Sequence, residues 1–222
     1  MPGVDIGVPQ VFTSFPMARC YYSQWASVTV GALICLGLAL PLQAQRGAYV
    51  QPRNLAQLVA QSAVIVRGTV VSARVEPHPE FSNLSTVVVT LRVAETLKGD
   101  ASGAFTFRQF IWDIRDRHDA AGYRKGLHLL LLLNPTTSYG LTSPAGLEQG
   151  RFRISRDAEG REVAVNGHGN VGLWERMDTE LKSKRLTLSP RSAALLRQHP
   201  AGPITLNDLR DLTRDLAVLT TR

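Results

Sequence analysis

Two long segments rich in β-branched residues, joined by a short polar connector, constrain this sequence more than any other feature. Together they run from Ser62 to Gly99, with Pro77 and Pro79 in the connector. In the second segment the apolar residues occupy one parity and polar residues the other, a two-residue period typical of a half-buried strand. The apolar set is Val87, Val89, Leu91, Val93 and Leu97. The sequence therefore predicts a long β-hairpin at the centre of the fold.

The first strand of this hairpin, expected over Ala63–Glu76, changes its buried parity partway along. The apolar positions are first Val64, Val66 and Val70, and then Val71, Ala73 and Val75. A β-bulge near Gly68 would produce this change, and small closed barrels use long, kinked strands of this kind. We therefore expect a mainly β fold: a small OB-like antiparallel barrel with a short N-terminal helix and a C-terminal helix.

Two helices and five further strands are expected around the hairpin. One helix is Asn54–Gln61, with Asn54 as N-cap, and the other is Thr205–Thr220, where leucines recur at helical spacing. The run Leu127–Leu133 is continuously apolar, as expected for a central strand buried on both faces. The remaining strands are predicted at Ala104–Trp112, Tyr139–Leu141, Gly150–Arg156 and Glu162–Val165.

The N-terminal region has the pattern of a secretory signal peptide. An uncharged apolar run, Ala26–Leu42, follows Arg19 and precedes a small residue at Ala44, so cleavage is expected after Ala44. The run is shorter than the ~20 residues that a bilayer core requires, so we expect no retained membrane span. Met17 makes a more conventional signal-peptide start than Met1, and residues 1–16 are interpreted as an over-extended start. The expected product is bacterial, exported, and either periplasmic or secreted.

Cysteine content and charge limit the chemistry of the exported chain. Cys20 and Cys35 both lie in the predicted signal peptide, so disulfides, thiolate metal sites and cysteine nucleophiles are not expected after cleavage. The chain has a net charge of +7, but its basic residues are interspersed with acids rather than grouped in runs. Nucleic acid is therefore an unlikely partner, and the acidic surfaces of the cell envelope are more available to an exported protein.

Beyond the signal peptide, three regions are expected. Residues 45–166 form the OB-like domain, residues 167–204 a basic, loop-rich extension, and residues 205–222 a C-terminal amphipathic helix. The glycine-rich stretch Asn166–Gly172 lacks the lysine of a phosphate-binding loop, so we interpret it as a flexible turn that leaves the barrel.

Few side chains are arranged for catalysis. The densest set of acid and imidazole groups is Asp113, Asp116, His118 and Asp119. A hydrolase-type enzyme could use such a set for acid–base chemistry. Three arginines lie among these groups, however, and favour a solvated loop of paired charges: Arg115, Arg117 and Arg124. Histidine spacing and serine context match no metal or nucleophile motif, so we predict no catalytic residue, no cofactor and no metal.

The strands and loops of the barrel are the expected binding surface. Arg108, Trp112 and Tyr123 are the candidate contacts, because arginine, tryptophan and tyrosine dominate binding hot spots. Trp112 could equally belong to the core. The leading interpretation is a non-catalytic, exported binding or accessory module whose partner is a protein or an envelope polysaccharide. A hydrolase-type enzyme and a single-stranded nucleic-acid-binding OB domain are the alternatives.

The block from Leu58 to Ile154 resembles a recurrent type of bacterial exported protein and, loosely, the netrin-like domain of tissue inhibitors of metalloproteinases. The matching positions are Ala63, Val64, Val66, Gly68, Val70, Leu97, Lys98 and Gly99. This resemblance implies an OB-type barrel. Inhibitors of that family chelate the protease zinc through an N-terminal cysteine, which the expected mature chain lacks, so their mechanism is not implied here.

Overall fold

The fold is built on one seven-stranded antiparallel sheet. The computed structural model describes residues 51–198 and 201–220, so the predicted signal peptide, residues 1–44, lies outside the described residues. The strands are β1 (Val64–Pro77), β2 (Ser85–Lys98), β3 (Ala104–Phe110), β4 (His128–Leu133), β5 (Arg151–Arg156), β6 (Glu162–Asn166) and β7 (Ile204–Thr205). The helices are α1 (Leu55–Gln61), α2 (Met177–Ser183), α3 (Pro190–Gln198) and α4 (Leu206–Thr220). Short 3₁₀ turns occupy Ile114–Arg117, Ala120–Gly122 and Leu147–Gly150.

The strand order is β3-β2-β1-β4-β5-β6-β7, and every pairing is antiparallel. The first four strands have the spatial order 4-1-2-3, in which a long connection brings the fourth strand back beside the first; this is a Greek key. The sheet is open, since β3 and β7 are its two edges. The predicted mainly β class is therefore confirmed, whereas the strand pairings of the described residues do not close a barrel.

The β1–β2 hairpin is bulged where the sequence predicted. Its register shifts between Ile65 and Val66, between Arg67 and Gly68, and between Val70 and Ser72. At Gly68 the strands come so close that a Cβ would lie 2.6 Å from the carbonyl oxygen of Arg92, a contact that side chains do not make. Glycine is thus required at this bulge, and the parity change along β1 follows from it.

The end of β2 anchors α1. Lys98 donates a hydrogen bond from Nζ to the carbonyl oxygen of Val59, 2.8 Å away, and so satisfies a carbonyl in the last turn of the helix. Gly99 follows with a φ of +75°, and a Cβ there would collide with the carbonyl oxygen of Ala63. At its other end α1 has the predicted N-cap, because Asn54 and Gln57 form a reciprocal capping box.

Two hydrophobic cores lie on opposite faces of the sheet. On the helix-covered face, α1, α2 and α4 pack on β4, β5 and β6 through residues that include Leu130, Leu132 and Phe152. On the other face, β1–β4 curl around a second core that includes Phe107, Leu129 and Leu131, and the connection between β3 and β4 covers it. Strand β4 is therefore buried on both faces, as its continuous apolar run predicted.

Several local predictions need correction. Tyr139–Leu141 is not a strand: Gly140 donates its N–H to the carbonyl oxygen of Thr137, which makes this stretch a turn. The third strand ends at Phe110, two residues before the predicted end. The stretch 167–204, expected to be loop-rich, contains α2 and α3. Helix α4 is confirmed, and Thr205 accepts a hydrogen bond from the backbone N–H of Asp208, as an N-cap does.

The glycine-rich stretch after β6 is an ordered turn. Asn166 and Asn170 are buried, and each side-chain oxygen accepts a hydrogen bond from the backbone N–H of the other residue, at 2.9 and 2.8 Å. The Asn170 amide also donates to the carbonyl oxygens of Ala164 and Gly202. These bonds connect the turn to β6 and to the segment that leads into β7. The side-chain amide of Asn170 is therefore occupied by hydrogen bonds within the chain.

Candidate functional site

One face of the sheet is covered by helices over only half of its width. The core beneath the helices takes in Ile65 at the start of β1 and Leu97 at the end of β2, but nothing from β3. The rest of that face is formed by the later part of β1, the earlier part of β2 and all of β3, and no helix among residues 51–198 and 201–220 contributes to a core on it. We call this bare half the open face.

The open face consists of four rows of paired residues. Cross-strand partners in an antiparallel sheet place their side chains on the same face, so the registers define each row. The rows are Phe110–Thr86–Glu76, Arg108–Val88–Arg74, Thr106–Thr90–Ser72 and Ala104–Arg92–Thr69, the last extended by His128 of β4. The rows contain three arginines, several hydroxyl groups and a single carboxylate, Glu76.

Arg108, one of the predicted binding residues, is held in place on this face. Its guanidinium donates to Glu76 at 2.7 Å and to the hydroxyl of Thr86 at 2.7 Å. The Thr86 hydroxyl in turn donates to the carbonyl oxygen of Glu76 at 2.8 Å. The charge of Arg108 is therefore balanced within the face. From β3, its side chain reaches Thr86 on β2 and Glu76 on β1, so it links the three strands.

Arg74 and Arg92 differ from Arg108 because neither forms an ion pair among the described residues. Both side chains are exposed. Hydroxyl groups lie beside them: Thr90 and Thr106 are hydrogen-bonded to each other at 3.0 Å, and Thr69 contacts His128 Nδ1 at 3.2 Å. The open face thus has an excess of positive charge together with neutral hydrogen-bonding groups.

Exposed apolar side chains adjoin the end of the open face. Phe110, the last residue of β3, packs edge-on against Trp112 with ring centroids 4.8 Å apart. Trp112 is 66% exposed and Ile114 is 71% exposed. The predicted binding residue Trp112 is therefore at the surface and not in the core. Isolated exposed apolar residues are common, but the ring of Trp112 contacts that of Phe110, so the two rings form an apolar border to the open face.

A second aromatic pair lies at the same end, where the β1–β2 connector meets the β4–β5 connector. Phe81 packs edge-on against Tyr139 at 5.5 Å and stacks on the buried ring of His78 at 5.2 Å. His78 Nε2 is hydrogen-bonded to the carbonyl oxygen of Tyr139 at 2.8 Å, which joins the two connectors. The β4–β5 connector also reaches the edge of β3, because Thr142 donates its N–H to the carbonyl oxygen of Arg108 at 2.8 Å.

Tyr123, the third predicted binding residue, lies in the core on the opposite face. It is 2% exposed, and its hydroxyl donates to Gln109 at 2.9 Å. The Arg151 guanidinium sits over its ring, 4.8 Å from the centroid, and donates to the carbonyl oxygen of Ala121 at 2.6 Å. Burial raises the pKa of Tyr123 to about 12. The structure thus brings Arg108 and Trp112 to one end of the open face and places Tyr123 away from it.

The acidic loop considered for catalysis is a solvated segment with internal partners. Asp113 receives hydrogen bonds from the Arg115 guanidinium, with Nε 2.9 Å from Oδ2, and from the Arg115 backbone N–H. Asp119 accepts from the backbone N–H of Gly122 at 3.2 Å, and His118 is exposed. Within residues 51–198 and 201–220, no three acid, histidine or cysteine side chains are grouped so that they could hold a metal ion.

Two clefts lie away from the open face. One, of about 630 Å³, is lined by polar residues around Arg53, Asn54 and Arg176. The other, of about 530 Å³, lies between the β5–β6 turn and the start of α4, where Arg161 and Arg191 are already ion-paired. Neither cleft includes a residue of the four rows.

None of the helices in the described part of the chain has the length and apolar character needed to cross a membrane.

Comparison with known proteins provides no information on function, so the function has to be inferred from the residues of this chain. The chain matches no protein-family model and no curated protein.

Sequence reasoning missed much of the open face. Arg74, Arg92 and Phe110 were not predicted as contacts, and neither were Phe81 and Tyr139. Part of the signal was present, because Arg92 occupies the polar parity of β2. What the sequence could not provide is the strand order, which places β3 at an edge and leaves this polar parity without a covering helix.

Proposed function

We propose that this protein is a non-catalytic, exported binding module, and that its open face, with the aromatic residues at its end, binds a glycan of the bacterial cell envelope. The observation that carries the proposal is the bare half of the sheet, where hydroxyl and guanidinium groups adjoin the exposed ring of Trp112. Sugar rings present C–H groups that pack on aromatic faces and hydroxyls that hydrogen-bond to such side chains. A protein partner is the other possibility that the sequence left open.

The proposal includes an OB-type relationship for the β1–β5 region. Three features support it: the Greek-key order, the bulges of β1, and the hydrogen bond from Thr142 to Arg108, through which the β4–β5 connector approaches the free edge of β3. OB folds bind oligosaccharides and oligonucleotides on the face of their second and third strands and on the adjoining loops. The open face and the Phe81–Tyr139 pair occupy the corresponding positions, although fold analogy alone defines no ligand.

Trp112 provides the direct test. The sequence contains three tryptophans, and Trp25 lies in the predicted signal peptide, so replacing Trp174 with phenylalanine leaves Trp112 as the sole tryptophan reporter of the exported protein. We expect soluble envelope glycans, namely peptidoglycan fragments and lipopolysaccharide, to shift or quench its emission in a saturable manner. Trp112→Ala should weaken glycan affinity, measured by calorimetry, by about three- to tenfold, which is the usual range for one aromatic contact.

The control is Val171→Ala, which removes an equally exposed apolar side chain outside the open face. It should leave glycan affinity unchanged. Emission of Trp112 that no glycan alters would contradict the proposal, and so would equal losses in the two alanine variants.

A further inference from the structure

Two arginines of the open face have no oppositely charged partner in the part of the chain that the structure describes. Arg108 is neutralised by Glu76, the only carboxylate in the four rows, at 2.7 Å. Arg74 and Arg92 form no ion pair among the described residues and are exposed. Ion pairs are common elsewhere in this chain, for example Arg161 with Asp157 and Arg191 with Asp208. Exposed arginines without an ion pair also occur elsewhere among the described residues, as at Arg124, so the distinguishing feature of Arg74 and Arg92 is their position together on the open face.

The spacing of the two charges limits the ligand. Arg74 pairs with Val88, four residues before Arg92 on the neighbouring strand. At about 3.3 Å per residue and about 4.8 Å between strands, their Cα atoms are about 14 Å apart. The surface between them is neutral and rich in hydroxyls, with Thr90, Thr106 and Ser72 in the intervening row. A complementary polymer therefore has anionic groups separated by neutral, hydrogen-bonding units.

We propose that the ligand of the open face is an acidic polysaccharide, with Arg74 and Arg92 pairing with carboxylates on separate sugar units while Trp112 packs against a sugar ring. This inference rests on the proposed binding function and adds the ligand's charge class to it. A polysaccharide with uronic acid units has carboxylates interspersed with hydroxyls, as the rows require. A nucleic-acid strand, in contrast, binds through aromatic side chains that stack on successive bases, and Phe110 is the one phenylalanine, tyrosine or tryptophan in the four rows.

The test compares one polymer in charged and uncharged form. Polygalacturonate carries a carboxylate on each ring, and its methyl ester has the same backbone without the charge. We expect the full protein to bind polygalacturonate, measured by calorimetry at low salt, and to bind the methyl ester at least about tenfold more weakly. Binding should also weaken as salt rises towards physiological ionic strength, because exposed charges are screened.

Arginine variants then locate the contacts. Arg74→Gln and Arg92→Gln should each weaken polygalacturonate binding by about fivefold. Because the two side chains are far apart, their effects should multiply to about 25-fold in the double variant. Arg124→Gln is the matched control, since Arg124 is an exposed arginine of the connection that covers the other core, and its loss should change nothing.

The outcomes separate the inference from the function on which it rests. If both polymers bind equally and depend on Trp112 but not on the arginines, the open face binds glycans and the inference about charge is wrong. If neither polymer binds and no envelope glycan alters Trp112 emission, both proposals fail. If oligothymidylate binds more tightly than polygalacturonate with the same arginine dependence, the ligand is a single-stranded nucleic acid and the inference is overturned.

Discussion

At the scale of single residues, backbone geometry explains three of the eight positions on which the netrin-like resemblance rests, namely Gly68, Lys98 and Gly99. Gly68 and Gly99 lie where a Cβ would meet a carbonyl oxygen of a neighbouring segment, and Lys98 satisfies a carbonyl of α1. Burial lowers the pKa of Lys98, so this ammonium is held in place at some desolvation cost. These residues therefore specify how α1, β1 and β2 meet, and they provide no reactive group.

Gly99→Ala should destabilise the protein more than an equivalent change at another glycine with positive φ. Gly99 has a φ of +75° and a blocked Cβ position, whereas Gly103 has a φ of +56° and open space around it. Gly103→Ala should cost about 1 kcal/mol of unfolding free energy from backbone strain alone. Gly99→Ala should cost at least about 2 kcal/mol, since the collision with Ala63 adds to that strain.

Urea unfolding followed by circular dichroism measures both values. Equal losses in the two alanine variants would show that the backbone relaxes around residue 99 and would contradict the role assigned to the close approach.

At the scale of elements, one carboxylate joins the sheet to the C-terminal helix. Glu95 of β2 forms ion pairs with three arginines. Its Oε2 lies 3.1 Å from Nε of Arg67 on β1 and 2.7 Å from Nε of Arg210 on α4, and Arg214 of α4 is the third partner. Burial alone would raise the pKa of Glu95, but hydrogen bonds and charge from these arginines outweigh it and hold the pKa below the ordinary value of a glutamate. The ionised form is thus the one that the folded state stabilises.

This junction should make stability depend on pH in the acidic range. A carboxyl whose pKa is lower in the folded state stabilises the fold fully above its unfolded pKa and loses that contribution as pH falls through the folded pKa. We therefore expect Glu95→Gln to lower the unfolding free energy at pH 6 by about 1–2 kcal/mol, a range that allows for partial solvent screening. Its difference from the unsubstituted protein should shrink steadily below pH 4.5.

Glu159→Gln is the control, because Glu159 pairs with Arg161 on an exposed turn where both side chains are more than half exposed. Its substitution should change stability little at either pH. A Glu95→Gln deficit that stays constant from pH 6 to pH 3 would contradict the assigned charge state.

Elements with a strong local signal were predictable. The capping box of α1, the bulges of β1, the doubly buried run of β4 and the leucine spacing of α4 are all encoded in short windows of sequence. The turn at Tyr139 was mistaken for a strand because tyrosine favours strands, while Gly140, with a φ of +70°, favours the turn. Helices α2 and α3 are only seven and nine residues long, too short to be stable without tertiary packing, so the local sequence signals them weakly.

At the scale of the whole molecule, the arrangement of strands decides where a ligand can bind, and arrangement is what the sequence conveys least. Strand periodicity identified the residues on each face, but the order β3-β2-β1-β4 and the extent of the helical cover depend on contacts between distant segments. Arg108 and Trp112 were therefore chosen as candidate contacts by residue type alone, with Trp112 left open between surface and core, and Tyr123 was misplaced because a tyrosine suits a binding surface and a core equally.

One prediction concerns the export of the protein and the removal of its predicted signal peptide. Expression in a bacterium that has a general secretory pathway should yield a periplasmic or secreted product whose first residue is Gln45, because cleavage is expected after Ala44. Intact-mass measurement of the fractionated protein checks this. Replacing Ala44 with a bulky residue such as Trp should slow the processing, and a cytoplasmic product that retains Met1 or Met17 would contradict the prediction.

Because helices pack on only part of one face of the sheet, we expect the residues of the open face to tolerate substitution better than those beneath the helices. Among the described residues no helix packs on the open face, so most substitutions at its exposed positions should alter stability by less than about 0.5 kcal/mol, whereas Thr86 and Val88 are buried within it. Gly68, Lys98 and Gly99, in contrast, are fixed by the backbone and helix contacts that they make. The same fold can therefore exchange the residues of its four rows, and with them its ligand preference, while the half of the molecule beneath the helices preserves the fold.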